Sequence, residues 1–134
     1  MPLQTRWADN DAYGHLNNAT YLSLFDTALT HWQTESGLLA AHTRFLVVAN
    51  NCEYHAELAF PDALTCGLAC EHIGRTSFRL ILGLFKGAED QAATTASFTQ
   101  VAVDPETHEK RALDDRERAL LVGIVPASGM PQGL

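Results

Sequence analysis

Positive charge is scarce in this chain. Nine Lys and Arg stand against sixteen Asp and Glu, a net charge of −7. Non-specific nucleic-acid binding rests on basic surface that neutralises phosphates, so DNA and RNA are not expected partners. A small polyanion needs only a few local arginines and stays compatible with this balance. Cysteine is also scarce: Cys52, Cys66 and Cys70 make an odd number with no C-x-x-C pair. Cys66 and Cys70 fall in a stretch that reads as a strand, about 13 Å apart along it, too far for a disulfide. Free thiols in a reducing compartment are expected. No apolar run approaches the roughly 20 residues a membrane helix needs, and the N-terminal MPLQTR has no secretory apolar core. The expected location is the cytoplasm, with no membrane partner. There is no G-x-S-x-G elbow, which argues against a serine hydrolase. There is no G-x-G-x-x-G or Walker loop, so no nucleotide cofactor is implied. His31, His42, His55, His72 and His108 show no metal-ligand spacing with carboxylates, and no metal is expected.

What is present suits one globular domain. The chain has 134 residues, 46% apolar and 19% charged, enough to bury one core without staples. A single domain is expected over 1–134. The tail from about 123 carries two Pro and three Gly and is expected to fray.

Along the chain the hydrophobic period changes. Residues 3–8 read as a short first strand, and the polar stretch 9–18 as a loop. Leu22, Phe25, Ala28, Leu29 and Trp32 recur at helical steps, which predicts one helix over 19–36. Asn17 or Asn18 can cap its start, and Gly37 suits its end. After that the period is two. Strands are expected at 44–58, 63–73, 76–86 and 91–103, separated by turns at 59–62, Gly74, 87–90 and 104–107. A short amphipathic helix is expected at 114–122. About five antiparallel strands with one long apolar helix have a simple packing solution, in which the sheet wraps the helix. That is an α+β hotdog architecture.

The polar loop Asp9-Asn10-Asp11-Ala12-Tyr13-Gly14-His15-Leu16-Asn17-Asn18 holds the candidate chemistry. Asp11 can act as general base on water or attack a carbonyl itself; both routes stay open. The first N–H groups of the following helix have no internal partners and carry partial positive charge, so an oxyanion is stabilised there. Gly14 lets backbone approach a ligand. His15 can donate to a carbonyl oxygen or orient water. Asp9 reads as a structural residue bonding backbone N–H groups of its own loop. Tyr21 reads as a packing residue with a hydroxyl bond.

The run RWADNDAYGHLNNATYL resembles the D-x-D-x-x-G-H-x-N-N-x-x-Y signature of the 4-hydroxybenzoyl-CoA thioesterase-like hotdog family. HIGRTSFRL resembles its I-G-R-x-S-F segment, and VAVDPETHEKRAL its V-x-V-D segment. Asn10 departs from the small or hydroxyl residue often found between the two acids. The resemblance implies an acyl-thioester hydrolase acting on an acyl-CoA or acyl-carrier-protein substrate, with no further cofactor. It implies Asp11, His15 and Asn18 as catalytic positions, with helix-end N–H groups near Asn17 and Asn18 holding the oxyanion. Gly14, Asn17 and Tyr21 are then substrate-binding. Arg75, Thr76 and Ser77 lie near the CoA arm, where Arg75 can grip a phosphate in a fork and Arg79 can extend the patch. A homodimer or homotetramer with sites shared between subunits is implied. Tyr13, Phe25, Trp32 and Phe60 are candidates for the acyl pocket. The rival readings are a hotdog hydratase acting on an enoyl or hydroxyacyl thioester, and an acyl-CoA-binding module without turnover.

Overall fold

A computed structural model describes residues 1–126. In chain order it contains β1 (Pro2–Gln4), a 3₁₀ turn at Trp7–Asp9, α1 (Asn18–Glu35), β2 (Arg44–Tyr54), β3 (Ala63–Ile73), β4 (Ser77–Lys86), β5 (Thr94–Val103) and α2 (Asp115–Val122). The strands form one antiparallel sheet of order β1-β3-β4-β5-β2. This is the expected hotdog arrangement, with α1 packed on one face of the sheet and the short α2 added. Residues 127–134, where most of the expected frayed tail falls, lie outside the described residues. Just before them, the Ile124 carbonyl accepts the Cys70 N–H at 3.0 Å.

The period-two pattern builds the core. Leu64, Cys66 and Cys70 of β3, Phe78, Leu80, Leu82 and Leu84 of β4, and Ala96, Phe98 and Ala102 of β5 are buried in one cluster with the helix. The helix answers with Tyr21, Phe25, Ala28 and Leu29, at i, i+4, i+7 and i+8. Leu22, expected on this face, is instead 39% exposed. The buried stripe keeps the expected direction; Leu22, in the first turns of the helix, lies within its arc yet is left partly uncovered, while its neighbour Tyr21 is buried. One polar pair enters the core unforeseen: the buried Gln33 amide donates to Gln100 Oε1 at 2.6 Å. The bond matches one buried donor to one buried acceptor, which avoids the cost of leaving both unpaired.

Three expected strands are shorter in the structure; β5, expected over 91–103, begins only at Thr94. The first was read as 3–8 but ends at Gln4, because Asp9 Oδ2 accepts the Arg6 N–H at 2.7 Å and the Asp9 N–H returns to the Arg6 carbonyl at 2.9 Å. That local ring turns the chain out of the sheet. The second was read as 44–58 but ends at Tyr54, because the N–H groups of His55 and Ala56 both go to the Ala93 carbonyl. Residues 55–58 then leave the ladder and run toward the start of α1.

At the far end of the sheet α2 acts as a buckle. Asp114 and Glu117 form a reciprocal capping box. Glu117 is fully buried and takes two contacts of 2.8 Å from the Arg111 guanidinium. Arg116 donates to the carbonyls of Gly37 and Leu38, after α1. Arg118 donates to those of Gly74 and Arg75, between β3 and β4.

Candidate active site

The Asp11 loop is shaped by its own main chain. The Asp11 N–H donates to the His15 carbonyl at 2.6 Å, and the Gly14 N–H to the Asp11 carbonyl at 3.1 Å. Gly14 has φ +79°, a left-handed conformation that glycine adopts without steric cost. The loop docks through Leu16, which is buried and donates its N–H to the Leu58 carbonyl at 2.9 Å. Asn10 adds a second tie, its Oδ1 accepting the Phe60 N–H at 2.9 Å. That bond gives the departing Asn10 a structural task.

These ties decide which polar groups remain free. Asp11 Oδ1 accepts the Tyr13 N–H at 2.8 Å and the His15 N–H at 3.2 Å. Asp11 Oδ2 has no hydrogen bond among the described residues. Asn17 is the helix cap, its Oδ1 accepting the Ala19 N–H at 2.9 Å. The Asn17 N–H donates to the Asp9 carbonyl at 2.8 Å, and the Thr20 N–H to the Asn17 carbonyl at 2.9 Å. In the first helical turn, the Asn18 N–H is left without a partner among the described residues. Of the two expected donors, then, Asn17 is already engaged and Asn18 is free.

Asp11, His15, Asn18 and Tyr21 come together around a cleft of about 290 Å³. Gly14 and Asp11 line a neighbouring cleft with Trp7, so Asp11 forms a wall between the two. The rest of the lining was not foreseen: Tyr54, His55, Ala56 and Glu57. Nothing near the loop motif signals them in sequence. They arrive through the pairing of Tyr54 with Thr94 and the docking of Leu16 on Leu58.

Tyr54 stands edge-on to Tyr21, ring centroids 4.8 Å apart. Desolvation pushes the Tyr54 phenol up to about 12, with Cys52 adding to it, and burial raises Tyr21 as well. Both phenols stay neutral and offer no base. Burial likewise pushes the Cys66 thiol up to about 11 and raises Cys52, so neither is a ready thiolate. His15 Nε2 lies 3.2 Å from Glu57 Oε2. His55 Nε2 shares a hydrogen bond with Thr95 Oγ1 at 2.9 Å.

Asp9 keeps its structural role, but with a different partner from the one expected. Its buried carboxylate takes the Arg6 N–H and, at 2.8 Å, the Arg6 guanidinium. The hydrogen bond from Arg6 holds Asp9 below its ordinary value of 3.8.

Arg75, Thr76 and Ser77 are not at this cleft. Ser77 opens β4 opposite Val101, whereas Leu84 pairs with Thr94, beside Tyr54. The seven residue steps from Ser77 to Leu84 span roughly 23 Å. Arg75 is exposed, with its carbonyl pinned by the Leu113 N–H and by Arg118. Its guanidinium makes no hydrogen bond among the described residues. Arg79 does not extend a free patch: it donates to Thr99 Oγ1 at 3.2 Å and lies 3.7 Å from Glu71. The aromatic candidates also scatter. Phe25 is fully buried core, Tyr13 is exposed, Phe60 meets Trp7 edge-on, and Trp32 lines a separate cleft with His31 and Glu35. Among the described residues, no three His, Cys, Asp or Glu side chains come together as a metal site, and no helix is long and apolar enough to cross a membrane.

Comparison with known proteins agrees with the fold. The sequence profile of the thioesterase-like superfamily matches residues 5–122. No curated protein matches the chain significantly. Among solved structures, the PA5185 protein of Pseudomonas aeruginosa is 34% identical, with TM-score 0.87, over 94% of this chain and 90% of its own. The YbaW probable thioesterase of Escherichia coli is 26% identical, with TM-score 0.78, over 94% and 98%. The gentisyl-coenzyme A thioesterase BH1999 is 20% identical, with TM-score 0.78, over 90% and 98%; at that identity the likeness is one of fold. By sequence and by fold, the chain belongs to the thioesterase-like superfamily of thioester hydrolases.

Proposed function

We propose that the chain hydrolyses an acyl-coenzyme A thioester in the Asp11 cleft, releasing the free acid and the CoA thiol. The observation that carries this reading is that one cleft is lined by Asp11, whose Oδ2 has no partner among the described residues, and by Asn18, whose N–H likewise has none. One accepts a proton or attacks a carbonyl carbon. The other donates to the oxygen on which negative charge develops. With a water as nucleophile, Asp11 takes its proton, the C–O bond forms, and the oxyanion rests on the Asn18 N–H. Collapse breaks the C–S bond and the thiolate leaves. With Asp11 as nucleophile, the C–S bond breaks first and water then hydrolyses the mixed anhydride. Tyr21 floors the cleft, Asn17 holds the helix start, and Gly14 shapes the loop. No cofactor beyond the substrate's own CoA enters this scheme.

The position of Arg75–Ser77 bears on the assembly. Strand β2 is an edge strand, with Val47 42% and Val48 56% exposed, and an open edge of this kind is a template for pairing with another chain. β2 runs from Arg44, at the Arg75 end, to Tyr54, at the Asp11 end. Antiparallel pairing of two copies along β2 brings the Arg75 turn of a second copy to the Asp11 end of the first. The CoA phosphates of one site are then held by the other copy, in a homodimer or a dimer of dimers in the cytoplasm.

The test is thiol release, followed with a disulfide chromogen, from short, long and aromatic acyl-CoAs, alongside light scattering. Thiol release by a dimer or larger assembly is the expected result. A silent wild type sinks the hydrolase reading, and a monomer sinks the shared site. Loss of enoyl absorbance with crotonyl-CoA without thiol release would indicate a hydratase instead.

A further inference from the structure

We infer that Glu57 is a positioning residue for His15, fixing which imidazole nitrogen faces the substrate; this rests on the hydrolase reading. The two residues come from segments far apart in sequence, the loop before α1 and the stretch after β2. They meet at 3.2 Å, Glu57 Oε2 on His15 Nε2, and line the same cleft as Asp11 and Asn18. The His15 main chain is already held on both sides, its N–H by Asp11 Oδ1 and its carbonyl by the Asp11 N–H. Only the ring torsions remain to be set, and Glu57 sets them.

The chemistry follows from what a carboxylate accepts. Ionised Glu57 has no proton to give, so His15 Nε2 carries one. Nδ1 is then the nitrogen left for the substrate. It accepts from water when the ring is neutral and donates to a carbonyl oxygen when the ring is charged. Without Glu57 the ring is free to exchange tautomers and turn. The pair has little to offer stability, because the Glu57 side chain is 78% exposed and exposed ion pairs contribute little. A purely structural role would leave the kinetics of the folded protein untouched.

The experiment is a double-mutant cycle in the thiol-release assay, with Glu57→Ala, His15→Ala and both together, and with Glu57→Gln as the conservative variant. Ring nitrogens of His15 are followed by long-range ¹⁵N NMR in the same proteins. Glu57→Ala is expected to lower kcat about tenfold, as loss of an orienting outer partner does, with KM little changed. Glu57→Gln recovers part of the loss. In the His15→Ala background the Glu57 substitution has no further effect, since residues acting through one another are non-additive. The NMR signals show the proton on Nε2 in wild type and a tautomer mixture in Glu57→Ala. An active wild type with unchanged kcat in Glu57→Ala, or additive losses in the cycle, overturns the inference alone. A wild type silent on every thioester overturns the hydrolase reading, and the ring spectra then still decide the pair: an unaltered tautomer in Glu57→Ala overturns it.

Discussion

The two ends of the sheet treat their polar groups in opposite ways. At the α2 end, three arginines spend their donors on the protein itself, Arg111 on buried Glu117, Arg116 on the carbonyls after α1, and Arg118 on the β3–β4 turn; Arg75, in that turn, is the exception, its guanidinium without a partner among the described residues. At the Asp11 end, Asp11 Oδ2 and the Asn18 N–H have no partner among the described residues, and both residues line a cleft, although the N–H groups of Asp11, Tyr13, Gly14, His15, Leu16 and Asn17 are all tied. Orphan groups cost stability when buried, and they persist at low cost here because the cleft is open to water. An end whose groups satisfy one another is built for stability. An end that holds its free groups in a rigid frame is built to bind something that will satisfy them.

This contrast can be broken in four places, from the largest expected effect to the smallest. Asp11→Asn keeps Oδ1 as an acceptor for the Tyr13 and His15 N–H groups, so the loop should fold. Thiol release should fall roughly 10²- to 10⁴-fold, the range for loss of a general base, with the melting temperature unchanged. Asn18→Pro removes the free N–H at the first helical position, where proline is well tolerated. Asn17 already has the extended conformation, φ −64° and ψ 142°, that a residue before proline needs. A kcat loss of about 10²- to 10³-fold is expected, as for one oxyanion donor, while Asn18→Ala, which keeps the N–H, stays close to wild type. A Pro variant with full kcat would remove Asn18 from the oxyanion role.

At the other end the readouts reverse. Glu117→Ala strands the Arg111 charge and should cost about 3–5 kcal/mol in urea unfolding, with kcat per folded molecule retained. A fall in kcat as well would show that the two ends are coupled. The smallest effect is on acid stability. Asp9 sits below 3.8 in the folded state because of Arg6. Its contribution is therefore complete above that value and is lost as pH falls through the lower folded one. Arg6→Met should reduce stability at neutral pH slightly and flatten its fall in acid. An unchanged acid limb in pH-jump unfolding would show that the pair contributes nothing.

Legibility in the sequence followed the range of the interactions. The alternation in β3, β4 and β5 and the loop motif are local patterns, and both match the structure closely. The helix stripe keeps its expected direction except that Leu22 is partly uncovered, because period gives the direction of a face and not what covers each turn. The ends of β1 and β2 were overrun, because Arg6–Asp9 and the shared Ala93 carbonyl are competing bonds that no propensity registers. Tyr54 and Glu57 were invisible as cleft residues because their place depends on a register more than thirty residues away in sequence. Arg75 was read near the site by resemblance, yet one chain holds it at the opposite end of the sheet.

By itself the amino-acid sequence determined the fold class, the core faces of three strands and the loop that carries Asp11, all written in periods of two, of 3.6 and in turn chemistry within a few residues. Only the tertiary structure decided which donors remain free. Whether an N–H is available depends on what the folded chain brings to it: an Asp9 carbonyl came to Asn17, and among the described residues nothing came to Asn18.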